Sequence, residues 1–219
     1  MNTQNTRTEP TVMSYRNMRR FIGFLAMSIP IVMLAGGLLM GCHVMMPSIS
    51  HYFFTYMGTV FTGTLCAVGV FLITYKGFGP VDDLATNFAG ICAFVVALFP
   101  TTRPECDNYC VDYPGYTRWV HYAAAALFFL TLALISIYLF TRSDKPKDQL
   151  PPDKKKRNRL YRWCGCLIIV FIGLVPVVKL AGLEEELKSI NPTFCCETVA
   201  LFSFSLSWLV KGEVLMKGE

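Results

Sequence analysis

Three histidines, two serines and one glutamate are the residues of this chain best suited to chemistry. His43, Ser48, Ser50 and His51 lie within one nine-residue stretch, His121 opens a later apolar run, and Glu197 stands about one turn inside the last one. An imidazole beside a hydroxyl is the pairing of a base with a nucleophile. Imidazole and carboxylate together are ligand types that suit zinc. The spacing argues against a metal, because no HxxxH or HExxH run is present and three loops would have to converge. Three readings of the set stay open. It is a structural hydrogen-bond network, in which Glu197 pairs with His121 or a hydroxyl. It is a shallow site for a lipid headgroup or small ligand. Or it is the catalytic centre of a membrane-embedded lipid hydrolase. No metal and no cofactor is expected, and no dinucleotide, phosphate-loop or nucleophile-elbow signature appears.

The elements that position these residues are long apolar runs. The chain of 219 residues is 53% hydrophobic and 16% charged, against about 25% charged in an average soluble domain. About 20 apolar residues cross about 30 Å of hydrocarbon. Six segments meet or approach that length, at about 21–42, 52–75, 84–100, 119–141, 163–180 and 194–210. The fold class expected is all-α, a polytopic transmembrane bundle of six spans. Residues 1–18 are expected to be a flexible tail ahead of a transmembrane domain over 19–217. The first run is longer than the hydrophobic part of a signal peptide, about 7–15 residues, and no small-x-small cleavage site follows it.

Lysine and arginine orient the spans. Of the 20 such residues, sixteen fall on the side of the termini and four on the other. Both termini are therefore expected in the cytoplasm, with His43, His51, His121 and Glu197 at the outer face. Nine of the sixteen lie in 142–162, which is Pro-rich and lacks an apolar period, so a mobile basic loop is expected there. The formal charge of +5 is then topogenic, and no nucleic-acid partner is implied. Membrane lipids are the expected partners.

Smaller features fit the same frame. Thr55, Thr59, Thr62, Cys66, Gly69 and Ile73 form a stripe of small and hydroxyl-bearing residues, which in lipid is a helix-packing face. Asp82 and Asp83 follow the turn "YKGFGP" and read as a helix N-cap, with an ion site as the alternative. Ser48 or Ser50 is expected to cap the second span. Tyr15, Tyr52, Tyr75, Trp119, Tyr161, Trp163 and Trp208 stand where headgroup-level aromatics belong. Cys42, Cys106 and Cys110 fall on the outer side, where a disulfide is permitted. A bridge between Cys106 and Cys110, or from Cys42 to either, leaves the connectivity open.

Several stretches carry a resemblance: "SIS" with "YFFT", "GTVFTGTLCAVGVFLITYKG", "NFAGICAFVVALFPT", "HYAAAALFF", "KRNRLYRWCG" and "ETVALFSFSLSWLVKGE". They resemble a group of small six-span bacterial membrane proteins of unknown function. The Ser-Ile-Ser entry, the Phe-Pro span end and the His-x-x-x-Ala span start are more distantly similar to the DRAM and Sfk-type membrane family. The resemblance implies a bacterial inner membrane, a connection with lipid biology and no transferable catalytic residue. It implies that Ser48, Ser50 and His121 match family-pattern positions and that His51 is peculiar to this chain. The function expected is a non-enzymatic one, interacting with lipid or a small ligand at the outer leaflet. A lipid hydrolase and a small transporter subunit are the alternatives.

Overall fold

The computed structural model describes residues 10–40, 45–103, 113–143, 146, 149–184 and 186–216. Six helices account for most of them: α1 (Pro10–Leu39), α2 (Gly58–Thr74), α3 (Pro80–Leu98), α4 (Thr117–Leu134), α5 (Pro152–Leu180) and α6 (Pro192–Lys211). Short helical turns intervene, a 3-10 helix at Ile49–Phe54 and a π-helical turn at Ile135–Leu139 that continues α4. No strand occurs among the described residues. Five of these segments are long and apolar enough to cross a membrane, and the sixth, α2, is a shorter apolar helix of 17 residues.

Helices adjacent in sequence pack against each other, and α6 closes back onto α1. The helices therefore alternate in direction, which puts two sets of residues at opposite ends. One end, called here the histidine end, gathers the segment 45–54, Phe99, His121 and the start of α6. The basic end gathers the first turns of α5, the last of α2 and α6, and Arg19 of α1. The core runs between them and is lined by Ile22, Met33, Leu72, Leu132, Ile168 and Phe204. Helix α6 is the most buried of the long spans and α5 the least.

Small residues set the close approaches. A Cβ at Gly90 of α3 would lie 2.7 Å from the Gly69 carbonyl of α2, and Thr62 Oγ1 donates to the Ala97 carbonyl at 3.3 Å. The expected packing stripe of α2 thus faces α3 from Thr62 to Ile73. In α1, Gly36 and Gly37 make room for Met57 and Tyr52.

The structure departs from the expected boundaries in three places. Residues 10–18, expected as flexible tail, belong to α1. The expected second span, 52–75, is broken: Thr55 is extended (φ −114°, ψ 178°), and α2 begins only at Gly58. Residues 152–162 of the expected mobile loop form the first third of α5. Pro152 opens that helix with its fixed φ, Asp153 suits the positive end of its dipole, and lysine and arginine are good helix formers.

Four aromatic residues expected at the headgroup level lie in the interior instead. Tyr52, Tyr75, Tyr161 and Trp208 are all buried, while Trp119 and Trp163 are exposed. Trp208 sits among Tyr75, Phe140 and Phe204, with ring centroids 5.1, 5.2 and 5.7 Å away.

The acidic pair also differs in detail from a simple cap. The N-terminal boundary of α3 is Gly79, with Pro80 following, and neither aspartate caps the helix itself. Asp82 Oδ2 accepts the Phe78 N–H at 2.7 Å and Asp83 Oδ1 accepts the Gly77 N–H at 2.9 Å. The carboxylates thus reach back to close the preceding turn. Gly77 is required there, since a Cβ would collide with Asp82. Arg142 Nη1 lies 3.0 Å from Asp82 Oδ1 and ties the end of the π-helical segment to the start of α3.

Candidate functional site

The short 3-10 helix explains the first pair. In that geometry side chains three residues apart eclipse one another. Ser48, extended at the helix boundary, makes no cap bond to the backbone. Its hydroxyl instead meets His51 Nδ1 at 2.6 Å.

Ser50 points toward α4. Its Oγ lies 3.0 Å from His121 Nε2, and His121 Nδ1 lies 2.7 Å from the Phe99 carbonyl. A carbonyl only accepts, so Nδ1 carries the proton. In the neutral ring Nε2 then accepts from the Ser50 hydroxyl. One imidazole thereby joins the end of α3, the start of α4 and the 3-10 helix. His121 is buried, at 3% exposure.

Glu197 does not pair with His121 or with a hydroxyl. Its Oε2 accepts the Ile49 N–H at 2.7 Å, at the opening turn of the 3-10 helix. A carboxylate there satisfies a donor that has no partner within the helix. Two further bonds join the same segments: Phe194 N–H to the Pro47 carbonyl at 3.0 Å, and Asn191 Nδ2 to the Met45 carbonyl at 3.3 Å. Asn191 adopts the left-handed region (φ 45°) as α6 begins, a conformation asparagine tolerates better than most residues.

Three residues outside the expected set complete this end. The Lys179 ammonium lies 5.1 Å over the Tyr122 ring, and the Tyr122 hydroxyl meets Thr102 Oγ1 at 2.6 Å. Lys179 bears on His51 as well. Burial first, then the charge of Lys179, then His121, push the His51 imidazole down to about 4. His51 is therefore neutral at pH 7. A base so weak holds its hydroxyl partner in place but draws little proton from it near neutrality.

Ser48, Ser50, His51, His121 and Glu197 thus converge, in two separate hydrogen-bonded pairs and one backbone clamp. His43 lies outside the described residues, as do Cys42, Cys106 and Cys110 and any bridge among them. Among the described residues no group of three or more His, Cys, Asp or Glu side chains could hold a metal ion. Lys179 was legible in sequence only as a cation just inside the end of an apolar run. Tyr122 was marked by nothing but its place beside His121.

The flank of this cluster is apolar. Helices α4 and α5 touch closely at the level of Gly165, where a Cβ would lie 2.8 Å from the Ala133 carbonyl. They meet again where Lys179 covers Tyr122. Between those points α5 buries no residue beyond Ile168, and a Cβ at Gly173 would meet nothing within 4 Å.

Compared with known proteins, the chain matches no family model, no curated protein and no solved structure.

Proposed function

We propose that this chain is a six-span bundle of a bacterial inner membrane, with both termini in the cytoplasm, and that its outward-facing histidine end holds a lipid headgroup. The function is binding. One observation carries it: Lys179 is held over Tyr122 beside the Ser48–His51 and Ser50–His121 pairs, at the top of an α5 flank that stays apolar and uncovered. A lipid needs that combination, polar groups for its head and a bare hydrocarbon wall for its chains. The ammonium suits a phosphate or carboxylate, and the neutral hydroxyl–imidazole pairs offer hydrogen bonds. The asymmetry of lysine and arginine supports the orientation, and the resemblance to membrane proteins of lipid biology supports the ligand class.

Mass spectrometry of lipid retained by the purified full-length protein tests the proposal. Wild type keeps bound lipid through detergent washing, and Lys179→Ala keeps about tenfold less, the loss expected when a charge-assisted bond is removed. Equal retention by the two proteins overturns it, and so does retention of a soluble small molecule in place of lipid.

Hydrolysis is the second reading, favoured by the 2.6 Å contact of Ser48 with His51. It requires fatty-acid release that Ser48→Ala abolishes. The depressed His51 imidazole speaks against it, because a general base works best with a pKa near the operating pH.

A further inference from the structure

The basic end carries two populations of cations. On the first third of α5, Lys155, Lys156, Arg159 and Arg162 are exposed. They form a solvated face that satisfies the demands of topology and membrane-surface charge. Lys154, Arg157, Asn158 and Tyr161 recur at helical spacing on the opposite face and turn into the bundle. There they meet Arg19 of α1 and Lys211 of α6. Nothing about topology requires this second, inward set.

The inward cations are crowded and set among rings. Arg19 lies 5.4 Å over Tyr75, and Lys211 lies 5.2 and 5.3 Å from the Phe78 and Phe140 rings. Lys154 Nζ reaches the Phe140 carbonyl at 3.4 Å. The charges of Lys154, Arg19 and Arg157 all bear on Lys211, and that of Arg157 bears on Lys154. Asp82 is the acid that bears on Lys211, and it already holds Arg142 and the Phe78 N–H. Two buried donors in the same neighbourhood, Arg19 Nε and Trp208 Nε1, have no acceptor. Like charges gathered in a half-buried place repel strongly unless an anion joins them. The acceptor missing here must carry several negative oxygens and must sit where a helix bundle meets the membrane surface.

We propose that Arg19, Lys154, Arg157 and Lys211 form a site for a phosphate group, presented by an anionic phospholipid of the adjoining leaflet. Arginine forks bind phosphate oxygens in pairs and lysine binds them as point charges. The surrounding rings of Tyr75, Phe140 and Trp208 keep water from screening the contact. This site is at the end opposite the histidines and stands independently of any ligand bound there.

The test uses full-length protein in phosphatidylcholine bilayers, with either phosphatidylglycerol or inorganic phosphate added at constant ionic strength. Wild-type Tm rises by about 5 °C or more with phosphatidylglycerol. The variant Lys154→Gln/Arg157→Gln loses most of that rise. Lys155→Gln/Lys156→Gln removes the same charge from the outer face and keeps it. Should the inward double variant not fold, Lys154→Gln alone shows a partial loss. A rise with inorganic phosphate that also depends on Lys154 and Arg157 supports the same phosphate site with a soluble source. The proposal is overturned if neither addition stabilises wild type. It is equally overturned if the inward and outward variants lose the same amount, which would mean surface charge alone is at work.

Discussion

Ser48 and Ser50 are two residues apart and do different work. Ser48 pairs within its own turn, and Ser50 reaches across to α4. His51 and His121 divide in the same way: one is a local partner, the other a junction between three segments. His51 has a measurable consequence. Its neutral form is favoured on folding, because burial and the neighbouring Lys179 charge push its pKa down to about 4. The unfolded chain takes up a proton below about 6.5, while the folded chain does not until about 4. Stability is therefore complete above pH 6.5 and falls as pH drops toward 4, by up to about 3 kcal/mol from this group. Thermal melts between pH 4 and 7.5 should show that slope, and His51→Asn should flatten it. An unchanged slope would mean His51 is solvated. The sequence marked all five of these polar residues. It did not show their partners, because Glu197 ended on a backbone N–H, and backbone donors carry no residue signature.

Helices were legible where hydropathy alone decides them, and illegible where local geometry does. The run from Tyr52 to Tyr75 reads as continuous because its composition is continuous. Yet Thr55 turns its hydroxyl on the Tyr52 carbonyl and accepts the Met57 N–H, which breaks the run into a 3-10 turn and a shorter helix. The opposite error falls on 152–162, where dense positive charge suggested a loop although the residue types favour helix. The α2–α3 contact was half legible, since a stripe of small residues predicts close packing without naming the partner. Gly90→Leu should be costly, because its Cβ would lie 2.6 Å from Ile73 Cγ1 and 2.7 Å from the Gly69 carbonyl. Overpacking of this kind costs about 1–3 kcal/mol. Gly63→Leu, at a position facing open space, should leave the thermal midpoint within a degree or so of wild type by the same measure. Similar midpoints for the two variants would show that the helices are free to separate at this crossing.

At the scale of the molecule the two ends differ in kind. One is laced by neutral hydrogen bonds, the other by cations, rings and a single buried carboxylate. The aromatic cluster around Trp208 was hidden from sequence reading because a tyrosine or tryptophan near a span end serves equally well at an interface or in a core. Only packing distinguishes the two. The proposed orientation makes a direct prediction. In a chain whose own cysteines are replaced by serine, Glu184→Cys should react with an impermeant thiol reagent added to intact cells. Reaction only after permeabilisation would reverse the assignment of the two ends.

The unequal helices have one more consequence. At 1.5 Å per residue, the 17 residues of α2 span about 26 Å and the 29 residues of α5 about 44 Å. A hydrocarbon layer of about 30 Å is too thick for the first and much too thin for the second. α5 resolves its excess by carrying its charged third out into the aqueous phase. α2 has no such reserve, and the lipid beside it must compress by about 4 Å. Such mismatch costs fractions of a kcal/mol per ångström. The protein therefore presents the bilayer with a thin side and a thick side, and favours membranes, or neighbours, that accept the difference.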